Sequence, residues 1–141
     1  MTTGFETFDK TVQLTNEMLG KIEKEFGWED RRNQSYTILR ALLHNLRDRL
    51  PIKQIANFST QLPMLVRGVF FESWSGEILP DKISREEFVQ NIREEFIFST
   101  ERSLEEIIAG VFSILTDAMA EGEREEVLGN LPEDLRGLLE G

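Results

Sequence analysis

A chain of 141 residues with 40% hydrophobic and 30% charged side chains has the size of one domain that buries a core unaided, and it is too apolar to stay disordered. It holds no Cys, which excludes a disulfide framework, a thiolate metal site and a cysteine nucleophile. A net charge of -10 argues against nucleic-acid phosphate and anionic membranes as partners, because both are held through Lys and Arg.

The first residues, MTTGFETFDK, have neither a basic n-region nor an apolar h-region. No apolar run approaches the roughly 20 residues of a membrane span. A cytoplasmic protein is the expectation. The charge is unevenly placed: residues 1–75 hold 10 Lys/Arg and 9 Asp/Glu, net +1, and residues 76–141 hold 6 and 17, net -11. Attraction between the halves is one reading of this, and an acidic face for a basic partner is the other.

Taken in order, Phe5, Phe8, Val12, Leu19, Ile22 and Phe26 recur at helical spacing and predict an amphipathic helix with these residues inward. Trp28 then packs over its end. A second helix, 33–50, carries Tyr36, Leu39, Leu42, Leu43, Leu46 and Leu50 on one face. Pro51 opens a short helix holding Ile52, Ile55, Phe58 and Leu62, and Pro63 opens another over 64–71, since proline suits a first helical turn. The stretch 73–83 is the connection between halves. Ser84 and Glu87 have capping-box spacing and start a helix to about Phe98. Further helices are expected at 104–119 and 121–128, with a last one after Pro132. No strand alternation appears.

The segment QLPMLVRGVFFESW, from Gln61 to Trp74, is echoed by NLPEDLRGLL from Asn130 to Leu139. Arg67 and Arg136 then stand 69 residues apart, as do Pro63 and Pro132, Gly68 and Gly137, and Asp48 and Asp117. The same offset pairs Leu39, Leu42, Leu43 and Leu46 with Ile108, Val111, Phe112 and Leu115. An offset of 70 pairs Met18, Ile22 and Phe26 with Phe88, Ile92 and Phe96. The expected fold is therefore an all-α helical bundle in one domain, 1–141. It is made of two tandem four-helix pseudo-repeats, 5–74 and 84–141, each burying its apolar face against the other.

At LRALLHNLRDRLP, from Leu39 to Pro51, and again at Gln61 to Trp74, the chain resembles an uncharacterised bacterial family named domain of unknown function 2267. Its members typically show Leu-Arg-x-x-Leu-His-x-Leu-Arg-Asp-Arg-Leu-Pro, then Gln-Leu-Pro-x-Leu-x-Arg-Gly, and a glycine or serine before Trp. These fall on Leu39, Arg40, Leu43, His44, Leu46, Arg47, Asp48, Arg49, Leu50 and Pro51, then Gln61, Leu62, Pro63, Leu65, Arg67, Gly68 and Trp74. Ser73 stands where the family often has Gly. The resemblance implies a small all-helical protein and brings no reaction, ligand or cofactor.

Three groups of residues carry candidate chemistry. Arg40, His44 and Arg47 lie at spacings of four and three on the second helix, which would suit an anion held by two guanidiniums beside an imidazole. The structural alternative has both arginines paired with acids of the second half and His44 on a backbone carbonyl. Arg67–Gly68 and Arg136–Gly137 could donate to a ligand at the junction of the halves; the structural alternative has each Arg tie a short helix to carbonyl ends or to Asp48 and Asp117, with each glycine allowing close helix approach. Phe70, Phe71 and Trp74 either bind a protein partner, a second copy included, or close one repeat on the other. Glu94, Glu95, Glu105 and Glu106 could offer a hard metal carboxylates only where their oxygens converge, and a helical di-iron site needs Glu-x-x-His repeats that a single His cannot supply. No P-loop, dinucleotide, HExxH, EF-hand or GxSxG pattern is present. The sequence thus points to a non-enzymatic interaction module without metal or cofactor. The alternative is a small-molecule or anion binder, with or without catalysis, whose site lies at the seam between the repeats.

Overall fold

The computed structural model describes residues 2–77 and 83–141. Among these the chain forms helices and no strand. In order they are α1 (Glu6–Phe26), α2 (Arg32–Arg47), α3 (Ile52–Thr60), α4 (Met64–Phe71), α5 (Arg85–Glu95), α6 (Leu104–Asp117), α7 (Glu123–Gly129) and α8 (Glu133–Glu140). Part of the connection expected over 73–83, residues 78–82, lies outside the described residues.

Local chemistry sets most of these boundaries. α1 stops at Gly27, whose φ of 70° is left-handed and whose N–H bonds Glu23 O, a backbone that glycine adopts at no steric cost. Trp28 follows, buried, with its ring 5.1 Å from Phe26 and 5.9 Å from Phe96. Pro51, Pro63 and Pro132 stand directly before α3, α4 and α8 with φ of -60°, -55° and -52°. Their missing N–H is harmless there, because the first amides of a helix have no intrahelical partner. Ser84 and Ser103 accept the N–H of Glu87 and Glu106 at the starts of α5 and α6, which satisfies an orphan donor at each.

Helices this short are marginal in water, so tertiary burial must hold them. α2 and α6 supply it by crossing at the centre, with Leu39, Leu42, Leu43 and Leu46 of one and Ile108, Val111, Phe112 and Leu115 of the other all buried. α1 packs on both, and so does α5. Exchanging the first four helices with the last four preserves most of the contact pattern: α1–α6 answers α5–α2, α2–α4 answers α6–α8, and α1–α4 answers α5–α8. α2–α6 and α3–α7 answer themselves. α4 and α8 also begin and end 69 residues apart, at 64 and 133 and at 71 and 140. α6 passes α1 with Phe26 seated on Gly110, where a Cβ would stand 2.7 Å from Phe26 Cζ.

Several stripe residues fall elsewhere than expected. Phe5 and Phe8 belong to the inward stripe of α1 by spacing, yet they are 54% and 47% exposed. The buried residues of α1 are Met18, Leu19 and Ile22, so the helix runs on past the body that would cover its first turns. Tyr36 and Ile52 are likewise exposed rather than inward. α2 ends at Arg47 and α5 at Glu95, each short of the expected limit, because the chain turns at Asp48 and Phe96.

α4 is fixed to α1 at one polar point. Pro63 has no side chain to cap the helix, and Thr11 Oγ1 instead accepts the N–H of Leu65 at 2.8 Å. Thr11→Val keeps the shape and removes that acceptor, so we expect a loss of about 1 kcal/mol in urea unfolding. An unchanged midpoint would show that water replaces the hydroxyl.

Candidate functional site

The polar side of α2 meets the end of α4, where a helix leaves its last carbonyls without partners. Arg47, 5% exposed, fills that need. Its Nη1 donates to Phe70 O at 2.8 Å and to Glu72 O at 3.0 Å, and its Nε to Asp48 Oδ1 at 3.1 Å. A cation set against the negative end of a helix is favoured by the macrodipole as well as by these bonds.

One turn earlier, His44 Nε2 lies 2.6 Å from Val69 O. A carbonyl only accepts, so Nε2 is the protonated nitrogen. Burial holds the imidazole pKa below its ordinary value, and Arg47 and Arg40 lower it further, against the Val69 bond that raises it. His44 is therefore neutral near pH 7 with its proton committed to backbone. Arg40, near the surface, donates from Nε and Nη2 to Glu72 Oε1 at 3.1 and 2.8 Å, and from Nη1 to Glu95 Oε1 at 3.2 Å. The Glu72 bond raises the Arg40 pKa and lowers that of Glu72. The three residues of the candidate anion site thus do come together, and all three are engaged by protein groups. Only Arg40 reaches an acid of the second half; Arg47 is spent on carbonyls of the first.

Phe70 is buried, and Phe71 and Trp74 are partly so. A file of rings runs from Phe58 to Phe70, Phe71 and Trp74 with centroids 5.4, 5.0 and 5.6 Å apart. Phe70 offers no surface to a partner, so of its two readings burial favours the closing one. Ser73, within this tail, has a φ of 62°, the left-handed region glycine occupies without strain. Trp74 borders a cleft of about 610 Å3, whose other walls include Leu50, Ile52 and Ile55 beside Asn130 and Leu131. It sits at the seam between the first four helices and the last four. A second cleft of about 350 Å3 has Gln61, Leu62 and Pro63 in its wall, the positions 69 residues before Asn130, Leu131 and Pro132.

The paired motifs behave unequally. Arg67 Nε donates to Ser59 O at 2.8 Å and Nη2 to Leu62 O at 3.0 Å, tying α4 to the end of α3. Arg136 makes no matching bond among the described residues, and its buried Nε has no partner among them. Asp48 joins Arg47 rather than Arg67, and Asp117 is exposed. The glycines do not serve close approach as expected: a Cβ on Gly68 meets nothing within 4 Å, and one on Gly137 only Arg85 Nη1 at 3.7 Å.

Exposed apolar side chains that the spacing did not single out together stand at two helix starts: Phe5 and Phe8 at that of α1, and Met64 and Leu65, 49% and 45% exposed, at that of α4. The phenyl rings stand edge to face with centroids 5.0 Å apart. The Thr11 bond brings the start of α4 within one turn of Phe8.

The clamp on α4 predicts a graded response. Arg47→Met leaves buried carbonyls unpaired and is expected to cost about 3 kcal/mol of stability, against less than about 1 kcal/mol for Arg40→Met, whose ion pairs are largely exposed. Equal losses in denaturant titrations would refute that ranking. For His44 the folded pKa is depressed, so its contribution is fully present above the unfolded value and is lost as pH falls through the lowered folded value. Burial raises the Glu123 pKa, with Glu126 adding to it, which works in the opposite sense at lower pH. In His44→Gln, the only histidine being removed, urea midpoints between pH 7.5 and 5.5 should fall less steeply than in the parent chain.

No described helix is long and apolar enough to cross a membrane. No curated protein matches the chain. The model of one family, described as an uncharacterized conserved protein (DUF2267), matches residues 15–138, a span that takes in the α2 clamp, the α4 file of rings and both Arg-Gly motifs. The chain belongs to that family.

Proposed function

We propose that the chain is a non-enzymatic, cytoplasmic protein-interaction module, built as two tandem four-helix pseudo-repeats and docked through the start of α1 and the start of α4. The observation that carries this reading is the exposure of Phe5 and Phe8 at the start of α1 and of Met64 and Leu65 at the start of α4, each about half exposed, on two helix starts joined by the Thr11–Leu65 bond. Side chains of this size carry roughly 200 Å2 apiece, so the four leave on the order of 400 Å2 of apolar surface in water. Apolar surface of that extent is the kind that mates with another protein surface, whether a different chain or a second copy. It is also held in shape, because the Thr11–Leu65 bond fixes α4 on α1 before any partner arrives. The matched contacts between helix pairs and the 69-residue offset support the pseudo-repeats.

A second reading, a small-molecule or anion binder, is favoured by the cleft of about 610 Å3 at the seam. Two of its charged members are already occupied, Arg47 by carbonyls and Asp48 by Arg47, and Glu77 adds a carboxylate to the wall. The cleft therefore favours an apolar ligand against Trp74 more than an anion.

A photo-crosslinking residue in place of Leu65, expressed in living cells, should give a discrete adduct that Phe8→Glu removes. The same label at Ile97, 80% exposed but isolated, should give none. Absence of an adduct at Leu65 would sink the docking reading and leave the cleft.

A further inference from the structure

α2 begins against the usual rules for a helix start. Its N-cap, Arg31, makes no side-chain cap, and no acidic residue lies in the first turn. The first residues are instead Arg31 and Arg32, cations at the positive end of the helix dipole, which destabilise it. Gln34 N and Ser35 N both bond Arg31 O, and the N–H groups ahead of them, on Arg32 and Asn33, are the orphan amides of a helix start. The helix 69 residues on begins differently. Gln34 corresponds to Ser103, which caps Glu106 N with Glu105 and Glu106 in the first turn of α6.

A second, separate observation lies in the same place. Asp30 to Gln34 and Phe98 line a cleft of about 270 Å3. Gln34 is 6% exposed, and its amide Nε2 has no hydrogen-bond partner. A buried donor left unpaired costs about 1–3 kcal/mol, and Gln34 is among the residues that line the cleft. Of the two guanidiniums, Arg32 is held by Glu23 at 2.8 Å and by Asn16 at 3.0 Å. Arg31 has no ion-pair partner among the described residues. Unpaired amides, an unpaired guanidinium and an unpaired buried amide therefore converge on one small cleft with an aromatic wall.

We propose that this cleft binds the phosphate group of a small phosphomonoester. The N–H groups of Arg32 and Asn33, the Arg31 guanidinium and the Gln34 amide would contact its oxygens, and its organic part would lie against Phe98. A phosphate at a helix N-terminus meets oriented N–H groups and the positive end of the dipole together. Asp30 on the rim opposes further negative charge, which disfavours polyphosphates. The site is independent of both the docking face and the seam cleft.

The test uses the full chain with inorganic phosphate and phenyl phosphate as probes, at millimolar concentration and constant ionic strength. Both should raise the melting temperature above a chloride control, and phenyl phosphate should half-saturate at a several-fold lower concentration. Arg31→Ala, at an exposed position, should weaken both about tenfold or more. Gln34→Leu should melt higher than the parent without ligand, since it removes the orphan donor, and yet bind phosphate less well. Amide NMR should place the largest shifts at Arg32 and Asn33. Equal binding of the two probes would overturn the assignment to a phosphomonoester. No stabilisation beyond chloride, or stabilisation unaffected by Arg31→Ala and Gln34→Leu, would overturn the site itself.

Discussion

Burial of α2 against α6 is the interaction on which the rest depends. Neither helix has a polar alternative for its leucine, isoleucine, valine and phenylalanine face, and each presents that face at the centre of the molecule. A fully buried side chain of this kind contributes about 1.5–3 kcal/mol, so the crossing outweighs any single polar contact in the chain. It also explains the doubled pattern of contacts. Here the first four helices pack their apolar stripe on the last four, through α2–α6, α1–α6 and α2–α5.

Polar chemistry then works at the edges of that core, where helix ends would otherwise leave carbonyls and amides unpaired. Arg47 and His44 close the end of α4 from the side of α2, Arg67 closes the end of α3 from the side of α4, and Thr11 closes the start of α4 from α1. Gln61 does the same between halves, accepting the N–H of Ala120 at 3.1 Å. These bonds add little net free energy beyond their exchange with water, yet losing one partner exposes the full cost of the other. That asymmetry makes charged residues of α2 structural even though their spacing suits an anion.

The legible part of the sequence was the part governed by near neighbours. Periodicity located the helices, and Pro51, Pro63 and Pro132 marked the starts of α3, α4 and α8 because proline acts on its own residue and the one before. Phe5 and Phe8 misled for the opposite reason. Helical spacing reports which face a residue shares, and it carries nothing about where the partner helix stops. Arg47 was visible as a charge near a leucine face, but its partners are backbone oxygens of Phe70 and Glu72, which no side-chain pattern encodes. Gly68 and Gly137 drew notice by repetition, whereas the glycine under real steric pressure, Gly110, is marked only by Phe26 reaching across from α1.

Where a local rule is broken inside an otherwise consistent fold, the deviation costs stability and folding alone supplies no reason for it. Two such deviations stand out. The apolar stripe of α1 continues past the core into water, and α2 opens with two cations where α5, α6, α7 and α8 open with acidic residues. The first is relieved by an apolar surface; the second is met in part by Glu23, which pairs with Arg32 at 2.8 Å and leaves Arg31 without an ion pair among the described residues. The α2–α4 clamp shows the reverse: each donor has its acceptor, so the chemistry that looked most like a site in sequence is the chemistry already satisfied by the fold.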